Sequence, residues 1–201
     1  MNFLPSLTDR ACIIGMTGSG KTTLAKAILQ TRPYVVIHDA KGLIQIDGFA
    51  RYTNLLQCQQ SKYAKIIYAP NHKELRDSII IESFFHWIYD RQNTTLYVDE
   101  VYSVTNRGEI PDYYHAILTR GREMNISCIS STQRPKLIPQ SILSESDLYY
   151  VFRLLLPQDR QKIRDILPLS NEKLTALKRH EFFFGSADGV IMGPLKLGGI
   201  K

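Results

Sequence analysis

The chain has 201 residues, 44% of them hydrophobic and 22% charged, and a formal net charge of +6. That length fits one domain with a central sheet and flanking helices, and the composition excludes a fibrous, low-complexity or disordered chain. The moderate basic excess is compatible with a polyanionic partner without establishing one. Three cysteines, Cys12, Cys58 and Cys128, lack metal-ligand spacing and read as buried thiols of a reducing compartment. Met1-Asn2-Phe3-Leu4-Pro5 has neither the basic region nor the long apolar run of a secretion signal, and no apolar stretch approaches the roughly 20 residues of a membrane span. The sequence therefore predicts no membrane insertion of its own.

Residues 1–10 give little signal. Ala11-Cys12-Ile13-Ile14 then reads as a short buried strand, and Thr23-Leu24-Ala25-Lys26-Ala27-Ile28-Leu29 as a helix. Between them stands Gly15-Met16-Thr17-Gly18-Ser19-Gly20-Lys21-Thr22, which is GxxxxGK[ST] in the strand-then-helix context the motif requires. Glycines let the backbone curl so that successive N–H groups point at phosphate oxygens, and the helix N-terminus adds donors and a dipole. Lys21 can reach the β- and γ-phosphates, and the Thr22 hydroxyl can ligate Mg²⁺. The predicted nucleotide-binding set is Gly15, Met16, Thr17, Gly18, Ser19, Gly20, Lys21, Thr22 and Thr23.

Thr31-Arg32-Pro33 breaks the chain, and Tyr34 to Asp39 reads as a second buried strand running into Ala40-Lys41-Gly42. Residues 43–64 are mixed and polar, read as a short helix with loops, and Lys65 to Pro70 gives another short strand. His72 to Asp90 is expected to be a helix, with Leu75, Ile79, Ile80, Phe84, Trp87 and Ile88 on its apolar face and His86 within that packing. Thr94 to Glu100 is a buried strand that ends in two adjacent carboxylates. Asp99 suits the Mg²⁺ shell of a Walker B strand, and Glu100 stands where an attacking water can be oriented or deprotonated. Two carboxylates at a strand end are ordinary in isolation; the upstream glycine loop gives them their meaning.

A polar loop at 102–111, containing Arg107, precedes a helix from Pro111 to about Arg122. Ile126 to Gln133 is the next core strand, and its terminal Gln133 can donate to a γ-phosphate or simply cap the turn before Pro135. Arg120 and Arg122 are candidates to stabilise phosphoryl-transfer charge from a neighbouring subunit, or else a solvated basic helix end. A short helix near 139–144, a strand at 148–154, helices at 157–166 and 171–178, and a β-hairpin across Asp188-Gly189 complete the chain.

Four stretches together resemble the FtsK–HerA superfamily of DNA-translocating ATPases. They are Gly15 to Thr22, Asp39-Ala40-Lys41-Gly42, Tyr97 to Glu100, and Arg122-Glu123-Met124-Asn125-Ile126 leading to Ser131-Thr132-Gln133-Arg134-Pro135. The departures are Ala40 where the family often has Pro and Asn125 where it often has Gly. The resemblance implies an α/β fold: a RecA-like (ASCE) P-loop NTPase core, a mostly parallel sheet of order 5-1-4-3-2 flanked by helices, with a C-terminal β-hairpin. It also implies Gln133 as sensor, Arg122 as the finger reaching the next subunit, Arg120 as its alternative, and ATP with Mg²⁺ as cofactors. Size points within the family to the genome-packaging ATPases of tailless, membrane-containing icosahedral viruses. The implied partners are double-stranded DNA, further copies in a pentameric or hexameric ring, and capsid-vertex or membrane proteins. The implied location is the host cytoplasm or the virion. Segments 103–110, with Arg107, and the region of Arg134 and Lys136 are the candidate DNA-facing loops. The alternative within the family is another DNA motor of this type, serving conjugation, segregation or repair; a small-molecule kinase and an ATP-dependent scaffold are the rival classes.

Overall fold

A computed structural model describes residues 3–105 and 108–198. The buried strands expected from the apolar runs form at its centre: β1 (Arg10–Ile14), β2 (Val35–Asp39), β5 (Thr95–Asp99), β6 (Ser127–Thr132) and β7 (Leu148–Phe152). Nearly every position in them is buried, as parallel strands covered on both faces require. They lie side by side as β2-β5-β6-β1-β7, all parallel, which is the expected 5-1-4-3-2 order read from the other edge.

Among the described residues the full sheet has nine strands and so differs from a five-stranded core in its margins. Beyond β2 come β4 (Lys65–Tyr68) and then β3 (Ala50–Tyr52), both parallel; beyond β7 come β8 (Glu181–Ser186) and β9 (Ile191–Lys196), both antiparallel. β3 is a three-residue edge strand inside the stretch read as helix and loops. Its two partly buried positions and one exposed position leave no apolar run to detect. The hairpin expected across Asp188-Gly189 is present, as β8 and β9.

Strand alternation divides the core into two layers. Ala11, Ile13, Tyr97 and Ile129 face Leu24, Ala25, Ile28 and Leu29 of α1 (Lys21–Gln30). Cys12, Ile14, Leu96, Val98 and Cys128 face the opposite layer, which includes Phe84, Phe85 and Ile88 of α3 (Ser78–Arg91) and Tyr114, Ile117 and Leu118 of α4 (Asp112–Arg120). The same layer takes α2 (Leu55–Gln60), α5 (Gln140–Ser144), α6 (Pro157–Arg164) and α7 (Asn171–Ala176). All three cysteines are free and buried.

The long helix begins later than its periodicity suggested. Glu74–Arg76 is a separate 3₁₀ turn, and Asp77 caps α3 by accepting the N–H groups of Ile79 and Ile80 at 2.9 and 3.3 Å. Ile79, in the first turn, is 75% exposed instead of packed. His86 is exposed as well, stacked on Tyr113 at 4.1 Å and paired with Asp90 at 3.2 Å. The α4 segment ends at Arg120, where a 3₁₀ turn over Gly121–Met124 leads into β6. Among the described residues no helix is long and apolar enough to cross a membrane.

Candidate active site

Parallel strands bring their carboxyl ends to one edge, and there the sequence motifs meet. The loop from Gly15 to Gly20 leaves β1 and is stitched to its neighbours: Gly15 N–H donates to Thr132 O at 3.1 Å, and Met16 N–H to Arg153 O at 3.0 Å. A side chain at Gly15 would place its Cβ 2.5 Å from Phe152 Cβ, so this residue must be glycine for the loop to pass. Gly20, at φ +118°, turns the chain into α1. No described side chain caps α1, and its first turn carries no carboxylate. Its leading N–H groups and positive dipole end therefore suit an anion.

Lys21 is nearly buried and folds back into the loop, donating to Gly15 O at 2.7 Å and Met16 O at 3.1 Å. Burial pulls its ammonium down to about 8, while Glu100 and Asp99 act in the opposite sense. Thr22 and Thr23 are exposed on the same turn.

Asp99 and Glu100 close β5 at this edge. Asp99 is buried, and its carboxyl is pushed up mainly by desolvation, against the hydrogen bond that Tyr97 OH donates to Oδ1 at 2.9 Å. Glu100 adopts the left-handed conformation at φ +59°. Non-glycine residues in that region cost of order 1 kcal/mol or more and cluster at working sites. Its Oε2 lies 3.4 Å from Lys41 Nζ, and its Oε1 accepts Gln133 N–H at 3.4 Å. Gln133 in turn takes a hydrogen bond from Thr17 Oγ1 at 2.5 Å on its Oε1. Thr17, Gln133, Glu100 and Lys41 thus form one chain across the site.

This donor set fits a nucleoside triphosphate with a divalent cation. The helix N-terminus and Lys21 suit phosphate oxygens. Asp99 and Thr22 offer one carboxylate and one hydroxyl, which suits Mg²⁺, an ion that usually keeps waters and phosphate oxygens in its remaining positions. No cluster of three His, Cys, Asp or Glu side chains that could hold a metal ion exists among the described residues.

The two arginines are placed elsewhere. Arg120 ends α4 and Arg122 lies in the 3₁₀ turn before β6, so both sit at the amino edge of the sheet. The six residues of β6 put about 20 Å between that edge and Gln133. Arg122 Nη2 pairs with Asp147 Oδ1 at 3.0 Å, a carboxylate that also binds Arg10 and is held below its ordinary range by those guanidinium groups. Arg120 is exposed. Neither can reach the phosphate site of its own chain.

Of the expected DNA-facing residues, Arg107 lies outside the described residues. Arg134 donates its Nε to the buried Asp159 Oδ2 at 2.9 Å, and Lys136 N–H donates to Asp159 Oδ1 at 3.1 Å. This anchor ties the segment after Gln133 to α6. Lys41 and Asp159 are the functional-looking contacts that motif spacing did not assign, because each meets its partner only through the sheet's packing. The hairpin adds a third: His180 N–H donates to Ser19 O at 2.8 Å, placing the start of β8 against the phosphate loop.

No protein-family model matches the chain. By sequence it is 29% identical over 209 residues to the DNA packaging ATPase P9 of Enterobacteria phage PRD1, covering 96% of this chain and 89% of the relative. By structure it is similar to the genome packaging NTPase B204 of Sulfolobus turreted icosahedral virus 2 in complex with AMPPCP. That match has a TM-score of 0.77 and 19% identity, and covers 95% of this chain and 100% of the other. VirB4 of Thermoanaerobacter pseudethanolicus shares the fold at TM-score 0.69 and 11% identity, over 93% of this chain and 89% of its own. The structural likenesses show the fold, and the sequence relative is a DNA packaging ATPase.

Proposed function

We propose that this chain, a P-loop ATPase related to a phage packaging ATPase, works as a homo-oligomeric ring that drives double-stranded DNA into a viral capsid. The observation that carries the proposal is the sequence match to that packaging enzyme over 96% of the chain. The gathering of Lys21, Asp99, Glu100 and Gln133 at the carboxyl edge supports it. The whole chain, residues 1–201, is taken as one ATPase domain, acting in the host cytoplasm or on the virion beside capsid or membrane proteins.

ATP would lie on the N-terminus of α1, with Lys21 moving off the loop carbonyls onto the β- and γ-phosphates. Thr22 and Asp99 would hold Mg²⁺, which supplies charge neutralisation across the phosphates when bound. Glu100 would take a proton from the attacking water, whose oxygen bonds to the γ-phosphorus as the bond to the β–γ bridging oxygen breaks. Gln133 would report the presence of the γ-phosphate, since its backbone touches Glu100 and its side chain touches Thr17. Arg122, with Arg120 as the alternative, would complete the site of the adjacent subunit.

The test is ATPase rate against protein concentration, with and without linear double-stranded DNA. Turnover per subunit should rise cooperatively with concentration, increase with DNA, and lose the DNA effect as salt rises. Flat, DNA-independent and salt-independent turnover would reject the motor.

A further inference from the structure

The segment that leaves Gln133 is gripped by a single buried carboxylate. Asp159, in the first turn of α6, has both oxygens occupied by that segment. Its Oδ2 accepts Arg134 Nε at 2.9 Å, and its Oδ1 accepts Lys136 N–H at 3.1 Å. Between these contacts the chain is stiff. Arg134 N–H donates to Thr132 Oγ1 at 3.1 Å and Pro135 is buried. Pro135–Leu137 is a 3₁₀ turn, in which Leu137 N–H donates to Arg134 O at 2.9 Å. Gln133 itself touches Glu100 and Thr17. One short segment therefore has one end in the phosphate site and the other on α6.

Beside this grip lies a groove of about 420 Å³, lined in large part by Lys136, Gln158, Gln161, Lys162, Arg164 and Asp165. Asp165 is the one carboxylate in its lining, and it already accepts Gln161 Nε2 at 2.7 Å. Lys136, Lys162 and Arg164 enter no ion pair among the described residues. The side-chain hydrogen bonds of Lys162 and Arg164 run to neutral amides, those of Gln140 and Gln161. Arg160 turns away instead, donating to Leu154 O at 3.4 Å and Asn171 Oδ1 at 3.3 Å, and so fixes α6 to the chain around it. Three uncompensated cations and two amides along one groove suit a ligand that offers successive anionic oxygens. Backbone phosphates of a nucleic acid are held in this way, by charge and donors without reading a base.

We propose that this groove grips the phosphate backbone of double-stranded DNA and that Asp159 ties the grip to Gln133. A change at the γ-phosphate then displaces the DNA-holding face of α6. This rests on the reading of the chain as a DNA motor. Lys136 joins the two ends, since Asp159 holds its N–H while its side chain lines the groove.

The experiment uses the full chain and two readouts. One is the affinity for a short linear duplex, by fluorescence anisotropy at several salt concentrations; the other is ATPase rate with and without that duplex. Lys162→Gln combined with Arg164→Gln should weaken binding about five- to tenfold and flatten the log–log salt slope by about 2, one for each lost phosphate contact. The same charge change at exposed Lys62 and Lys73, each made Gln, should leave affinity within about twofold, because distant charges are screened. Asp159→Asn should keep the affinity and lose the DNA-dependent rise in ATPase rate, judged against its own rate without DNA. Where Asp159→Asn lowers the thermal midpoint too far for assay, Arg134→Gln opens the same link from the other side and should give the same result. An unchanged affinity and salt slope in the Lys162 and Arg164 variant would overturn the groove while the motor stands. So would a loss of binding to anionic lipid vesicles with DNA binding intact. Full DNA stimulation in both Asp159→Asn and Arg134→Gln would overturn the link. A wild-type chain that neither binds the duplex nor responds to it would reject the motor, and the groove with it.

Discussion

Two buried residues show how much of the molecule's tolerance is set one side chain at a time. His38 lies on β2 between Tyr68 and Phe84, with ring centroids 5.6 and 5.3 Å away, and its Nδ1 has no partner among the described residues. Burial drives its ring from 6.5 down to about 4. A folded value below the unfolded one means the neutral ring is fully accommodated above pH 6.5, and that stability is lost as pH falls toward 4. The displacement is equivalent to about 3 kcal/mol. Unfolding free energies from urea titrations at pH 7 and pH 4.5 should therefore differ less in His38→Asn than in wild type, by up to that amount. An identical acid loss in both would mean that His38 does not titrate in this window. Gly15 makes the opposite demand, for space rather than charge. Gly15→Ala forces a methyl to within 2.5 Å of Phe152 Cβ, and overpacking of that kind costs about 1–3 kcal/mol. A lowered thermal midpoint with weakened nucleotide binding is expected, since the loop and β7 must part to admit it.

At the scale of elements, helix periodicity located α3 but not its start. The apolar spacing runs back through Leu75, yet an aspartate that can accept two N–H groups competes with helix continuation and wins at Asp77. Asp77→Ala should cost about 1 kcal/mol in urea unfolding, the usual worth of such a cap. A loss below a few tenths would show that packing against α4 fixes the helix start instead. The five central strands were legible because fully buried parallel strands are continuous apolar runs. The marginal strand β3 was not, because its place in the sheet comes from pairing with β4 and not from its own three residues. His86 was misplaced for a related reason: aromatic neighbours suggested burial, while helical spacing turns it outward to Tyr113.

At the scale of the whole molecule, the candidate site residues divide between the two edges of the sheet. Lys21, Asp99, Glu100 and Gln133 gather at the carboxyl edge, and Arg120 and Arg122 stand about 20 Å away at the amino edge. If Arg122 serves a neighbour, Arg122→Ala and Glu100→Gln should each suppress turnover, the first about 10³-fold or more for a trans arginine. Mixing the two inactive proteins should restore part of the activity, because a ring then contains sites with an intact Glu100 facing an intact Arg122. An inactive mixture of well-folded, co-assembling variants would remove Arg122 from that role and leave Arg120 to be tested in the same way. Arg122→Ala also breaks a surface pair with Asp147, a loss worth at most about 1 kcal/mol, so its effect on activity should far exceed its effect on stability.

The amino-acid sequence by itself determined the phosphate loop, the Asp99-Glu100 strand end, the terminal Gln133 and the class of fold. Each of these is written in a few consecutive residues whose chemistry depends on their own spacing. Only the tertiary structure decided that Lys41 meets Glu100, that Asp159 anchors Arg134, and that Arg122 is tied to Asp147 at the far edge. It also decided that His180 braces Ser19. Those partners are separated by 59, 25, 25 and 161 positions along the chain, and no local pattern encodes such a pairing. What brings them together is the parallel order of the strands, which sets loops distant in sequence side by side at each edge of the sheet.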